Sequence, residues 1–580
     1  MVSTQRRRKP RVRVCTLDEL KSSRTKVVSA EGRTVLVIAD QGNVYALDNR
    51  CPHMGFPLQR GTIRDGILTC HWHHAKFDLG SGCTFDPFAD DAPSFYVEIR
   101  DGEVWLDPDP IEEPRLEHWL AKLEEGLEQN IRLVLAKSVI GLNRLSATKE
   151  VLRKASLFGV RNRADGWSTG LSILTAMANV LPHLDEEDRP LALYQGLVHV
   201  ARSTSGQPPD FDLEPLRTSE TRPERYIDWF RRFIDVRAAD AAERTLRTAI
   251  KVGLSQKSVA DMVFAACTDH LFLDGGHSLD FANKAFELLD HIGWEYAEEV
   301  LPSLIPGLVG AQRMEESSSW RHPVDLAQLL SEVHEEIDTL IEEGATHPTA
   351  WDGHEELART ILDGDPSHSL DMMKDLVKRG VALQELSAAV AYAASLRPVH
   401  FRVSNEFSDW DTIHHVFTYT NAVDQAMRRA PSKLLARGIF DGAMAVYLER
   451  FLNIPKQPVP SSSGRNSSPQ DVLASFDAQG RVDATAQAIV DMLAQGHHQE
   501  SIATLGHALL REDSGFHQFQ IYEAAVRQYQ RFAGTPAGNN VLIGAARFLS
   551  AHSPTVRAVG QTYDIAARLH RGEALHDEVT

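Results

Sequence analysis

The chain is poor in cysteine. Five occur in 580 residues: Cys15, Cys51, Cys70, Cys83 and Cys267. A number that is both low and odd argues against a disulfide framework and fits a reducing cytoplasm. No run of about 18 apolar residues is present, so no membrane-spanning helix is predicted. Cationic side chains are outnumbered: 61 Lys and Arg face 80 Asp and Glu, a formal charge of -19. Such a surface argues against nucleic acid or an anionic membrane as partner. The opening residues are basic (Arg6, Arg7, Arg8, Lys9, Arg11, Arg13). No apolar run follows them, so residues 1–11 read as a solvated tail rather than a secretory signal. No GxGxxG or GxxxxGK[ST] motif occurs, which leaves no built-in flavin, NAD or ATP site. No nucleophile elbow is read either: the GxSxG spacing of Gly166-Trp167-Ser168-Thr169-Gly170 follows no strand-like run.

What is present changes character near residue 110. Before it, short runs such as RTVLVIAD, NVYALD, GILTC, FYVEIR and EVWLD read as strands separated by Gly and Asp turns. The segment DPDPIEEP reads as a linker, placed at residues 109–115. Beyond it, over residues 116–575, apolar residues recur three and four apart, as helices require. A Pro- and Ser-rich stretch at 455–470 interrupts this pattern as a loop. The predicted architecture is a small all-β domain over residues 12–108, followed by a large all-α domain of degenerate helical repeats.

The β part carries two mixed Cys/His pairs. Cys51-Pro52-His53 is followed, 16 residues later, by Cys70-His71-Trp72-His73. Cys2His2 zinc sites usually pair like with like, as CxxC and HxxxH. Two loops that each supply one thiolate and one imidazole instead suit a [2Fe–2S] cluster of the Rieske type, with two Cys on one iron and two His on the other. The CxxH spacing selects His73 over His71 and His74. Cys83 does not fit the ligand spacing and reads as a small packed residue.

Through CPHMGFPL, CHWHHAKFD and YVEIRDGEVWL, residues 12–108 resemble Rieske ferredoxin-type domains, and the oxygenase-associated bacterial kind more than the respiratory kind. The resemblance implies that Cys51, His53, Cys70 and His73 hold the cluster. Respiratory members add a disulfide between the loops and Ser and Tyr hydroxyl donors. Here Met54 and His71 stand at the disulfide positions, and Ala75 and Phe77 at the hydroxyl positions. Missing donors imply a low reduction potential.

The helical part contains four segments that align on a shared small residue. They start at Asp165, Asp274, Asp411 and Ser514. In three of them a histidine precedes an alanine by eight positions: His277/Ala285, His414/Ala422 and His517/Ala525. Each segment reads as a loop entering a helix, with the histidine in its first turn. A second histidine lies upstream each time, giving the pairs His270/His277, His400/His414 and His507/His517. With Asp269, Asp274, Glu406, Asp411, Asp513 and Glu523 nearby, these six histidines are the candidate ligands of a second metal. Imidazole with carboxylate suits iron, manganese or zinc, and iron suits a site fed by a Rieske cluster. His415 competes with His414, since adjacent helical residues point about 100° apart. GHSLDFANKAFELLD and REDSGFHQFQIYEAAVRQ are distantly similar to questin oxidase-like proteins, helical enzymes of oxidative polyketide ring cleavage.

The expected function is a cytoplasmic Rieske-dependent oxidoreductase, an oxygenase using a second, non-haem iron site on dioxygen and a small organic substrate. An external reductase or ferredoxin would supply electrons, and homo-oligomerisation stays open. The alternative is a tethered electron carrier on a metal-free helical interaction scaffold.

Overall fold

The computed structural model describes residues 10–111, 115–571 and 573. Contacts divide the chain into two units. One runs to Ala155 and takes in the segment from Ala558; the other is Ser156–Arg557. A small β domain stands at the N-terminus and a large helical region follows.

In the first unit, nine strands form three antiparallel three-stranded sheets. The orders are β1-β9-β8, β2-β3-β4 and β5-β6-β7. The strands are β1 (Val12–Thr16), β2 (Thr25–Ala30), β3 (Arg33–Asp40), β4 (Asn43–Asp48), β5 (Thr62–Arg64), β6 (Ile67–Thr69), β7 (Lys76–Asp78), β8 (Phe95–Arg100) and β9 (Glu103–Pro110). Strand β3 explains why two cores form. Its Val35 and Val37 pack into one apolar cluster, and its Leu36 and Ile38 into another. A strand covered on both faces needs a continuous apolar run, as RTVLVIAD supplies. The second cluster also contains Cys51, Cys70, Ala75 and Phe77, so the site loops are anchored in it.

Several elements differ from the sequence reading. Between β1 and β2 a short helix, α1 (Leu17–Ser23), starts at a capping box of Thr16 and Glu19. The expected linker begins inside a strand: β9 runs through Pro110, where Phe95 pairs with it. Proline fits there because it lies at the strand's last position. Residues 112–114 of that linker, and the basic tail up to residue 9, lie outside the described residues. Helices α2 (Arg115–Glu128) and α3 (Arg132–Arg144), together with the helix Ala558–Arg571, belong to the same unit as the β domain. Helix α3 packs against both of the others, and Gly141 lets the Trp119 ring approach where a Cβ would overlap it.

In the second unit, four helices form a closed ring, each packed on the next: α4 (Thr169–Val180), α5 (His277–Ile292), α6 (Phe407–Arg429) and α7 (Phe516–Arg531). They are the four aligned segments. In α4 the position equivalent to the repeat histidine is Ser168, eight before Ala176, and it caps the helix by accepting from the Leu171 amide at 3.2 Å. The ring interior is polar. Lys284 lies 2.8 Å from Glu287 and 2.9 Å from Glu523, and Asn179 donates to both carboxylates at 2.8 and 3.0 Å. Burial works against these charges, but their mutual attraction keeps Glu287 ionised, near 2, and Lys284 above its ordinary range. The expected 455–470 loop ends at Ser468, which caps the helix Pro469–Ser475 through Asp471.

Candidate metal centres

The first centre sits on two hairpin loops. The first follows β4: the Cys51 amide donates to Phe56 O at 2.8 Å and the Gly55 amide to Cys51 O at 2.7 Å. Gly55, at φ +78°, makes this turn. The second follows β6, where the Cys70 amide donates to Ala75 O at 2.9 Å. His74 adopts φ +62°, a left-handed position that usually favours glycine.

Cys51 and Cys70 are buried and free of disulfides. Their thiols lie within hydrogen-bonding reach of each other; the bond from Cys51 pulls Cys70 down to about 6 and pushes Cys51 up. The His53 and His73 rings meet edge to face at 4.6 Å between centroids. Burial lowers His53 to about 4, so its imidazole is neutral at physiological pH. Its Nδ1 is buried with no hydrogen-bond partner. Two adjacent free thiols and two adjoining imidazoles, that of His53 orphaned and neutral, are the donor set that a Rieske cluster requires. Ala75 and Phe77 are fully buried and offer no hydroxyl. Sequence reasoning missed Lys137. It is the lone charge in the apolar run LVLAKSVIGL, and α3 carries it to the Pro52 and His53 carbonyl oxygens, the latter at 3.3 Å.

The second centre lies in the helical ring. His277, His415 and His517 place one ring nitrogen each within 4.8 Å of the others. The Nε2 atoms of His415 and His517 are 3.1 Å apart. Asp411 Oδ1 stands 2.8 Å from His517 Nδ1, which favours the proton on Nδ1 and turns Nε2 toward the cluster. His277 is the first residue of α5. The chain reaches it through Phe272, Asp274, Gly275 and Gly276, all at positive φ, and a Cβ on Gly276 would lie 2.9 Å from Tyr419 Cβ. Burial, followed by the neighbouring imidazoles, lowers His415 to about 3; burial also lowers His277. The His277 and His415 rings are therefore neutral and can offer lone pairs.

Of the six expected histidines, His277 and His517 join this group and His414 lies beside it. His414 is fully buried, with both ring nitrogens unpartnered and its ring 4.9 Å from that of His517. It is not in a first turn. Glu406 and Asp409 form a capping box that starts α6 at Phe407, and the added turns bring His415 to face His277. His270, His400 and His507 go elsewhere. His270 Nδ1 is 2.6 Å from Glu315, His400 Nδ1 donates to Gln457 O at 2.8 Å, and His507 is 3.0 Å from Asp188. All three sit at or near the C-terminal end of the preceding helix, where local acceptors claim them. Of the expected carboxylates, Asp411 reaches the group, Asp269 pairs with Arg231 and Glu523 with Lys284. Arg402 and Asn405 stitch their loop to Pro455 and Leu452 carbonyls.

Comparison with known proteins identifies the first centre. Residues 10–96 are a Rieske [2Fe-2S] domain, and such a domain implies a [2Fe–2S] cluster. The chain is 33% identical over 94 residues to apoptosis-inducing factor 3 of Homo sapiens, covering 16% of each chain. It is 32% identical over 117 residues to the vanillate O-demethylase oxygenase subunit of Pseudomonas sp., covering 18% of this chain and 32% of that one. It therefore spans well under half the length of these relatives. Among solved structures, the ferredoxin of carbazole 1,9a-dioxygenase from Nocardioides aromaticivorans IC177 is similar at 28% identity. That match covers 17% of this chain and 100% of the ferredoxin, with a TM-score of 0.17. Among the described residues no helix is long and apolar enough to cross a membrane.

Proposed function

We propose that the protein is a Rieske-dependent oxygenase with a second, non-haem iron held by His277, His415 and His517 in the helical ring. The observation that carries this reading is the convergence of three imidazoles from three helices within 4.8 Å. Iron there would supply dioxygen activation on an organic substrate. The protein's own residues have definite tasks. Cys51, His53, Cys70 and His73 hold the electron-carrying cluster. Asp411 orients His517. Helices α5, α6 and α7 fix the three rings on one locus.

Several of the relatives are oxygenase components or oxidoreductases, which supports the reaction class. An external reductase or ferredoxin, a cytoplasmic location and the kinship of the helical part with questin oxidase-like proteins belong to the same proposal. Iron analysis after anaerobic purification tests it. Iron beyond the about two atoms that the cluster accounts for, lost in the triple variant His277→Ala, His415→Ala, His517→Ala with the cluster spectrum intact, supports it. About two irons per chain, all assigned to the cluster, favours the metal-free scaffold.

A further inference from the structure

Among the described residues two lysines are almost wholly buried, and they differ in company. Lys284 has carboxylate oxygens at 2.8 and 2.9 Å. Lys137, 7% exposed, has no carboxylate within ion-pair distance among the described residues. Its ammonium donates to the carbonyl oxygens of Pro52 and His53. The titratable groups facing it are Asp90, Cys51 and Lys122, and Asp90 is already held by His118 Nε2 at 3.0 Å. A buried ammonium costs several kcal/mol unless an opposite charge compensates it, and carbonyl dipoles compensate only in part. The position therefore calls for an anion on the Cys51–His53 side.

A [2Fe–2S] cluster on two thiolates and two neutral imidazoles is that anion in one redox state. Two ferric ions, two sulfides and two thiolates sum to zero; one added electron makes the centre -1. We infer that Lys137 is the counter-cation of the reduced cluster, a positioning residue on α3, outside the matched 10–96 domain, that favours reduction. With no hydroxyl at Ala75 or Phe77, the reduced state is favoured by the backbone amides of His53, Met54, Trp72 and His73 that face the two sulfurs and by the full charge of this ammonium. The inference rests on the cluster alone and stands whether or not the helical histidines hold metal.

The test is spectroelectrochemical titration of the full-length holoprotein at one pH, with dithionite as the one-electron donor. Wild type is compared with Lys137→Met, Lys137→Gln and Lys137→Arg, and EPR of the reduced cluster checks its integrity. Both neutral variants should shift the reduction equilibrium about tenfold toward the oxidised state, about 59 mV for a one-electron couple. Lys137→Arg should stay near wild type. An unchanged potential in the neutral variants overturns the inference, and so does an equal fall in Lys137→Arg, which would make shape rather than charge the cause. Should neither neutral variant keep a cluster, Lys137→Arg decides. A retained cluster at the wild-type potential supports the inference; a lost cluster or a fallen potential overturns it.

Discussion

The two candidate centres are built in opposite ways. Cys51, His53, Cys70 and His73 all fall between positions 51 and 73, on two hairpin loops rooted in one apolar cluster. The helical histidines are spread from 277 to 517 and meet only because α5, α6 and α7 pack side by side. In the first centre local turn geometry aims each side chain. In the second, the packing of the helices decides which histidine on each one faces the others. A loop site is legible from spacing; a helix-ring site depends on how the helices pack.

The largest effect should come from breaking the loop site. Cys51→Ser should abolish the visible absorption of the cluster and remove about two irons per chain, while far-UV circular dichroism of the helical part is kept. Next comes the helical site, where the triple alanine variant should lose the extra iron and leave the Rieske EPR signal unchanged.

The ring beneath the histidines gives a third test. Lys284→Met leaves Glu287 and Glu523 buried without their cation. Breaking a buried pair in this way costs about 3–5 kcal/mol, to be read as a lower midpoint in calorimetry. Acid sharpens the contrast further. His415 titrates near 3 when folded against an ordinary value of 6.5, so the unfolded chain binds more protons between those values. The metal-free protein should be fully stabilised by this group above about 6.5 and lose that contribution as pH falls toward 3, measured as the pH dependence of urea unfolding. The smallest effect is expected where sequence and structure part. Alanine at His270, His400 or His507 should leave iron content unchanged, and a loss of iron in any of them would reopen the ligand set.

Much of the β domain was legible. RTVLVIAD, NVYALD and FYVEIR are the strands β3, β4 and β8 in full, because a run of β-branched and aromatic residues between turns allows little else. The short strands β5 and β7 were not, since three residues carry no periodicity. Alignment on a shared small residue marked the four ring helices, three of them by the spacing of histidine to alanine, while α4 has serine at the histidine position. The choice of His415 over His414 was not readable from the spacing, because adjacent residues point about 100° apart and the packing of α6 decides which of them faces His277.

The sequence by itself determined the Rieske domain and the two loops on which its four candidate donors lie, since donors on two loops need only local turns to converge. It also marked the helical character of the remainder and the histidine-bearing repeats. Tertiary structure alone decided which imidazoles meet, which are claimed by Glu315, Gln457 O and Asp188, and that a lysine on α3 stands against the cluster loop. The reason is physical. Spacing along a chain defines direction only within a turn or a few turns of helix, whereas convergence between helices is set by their packing.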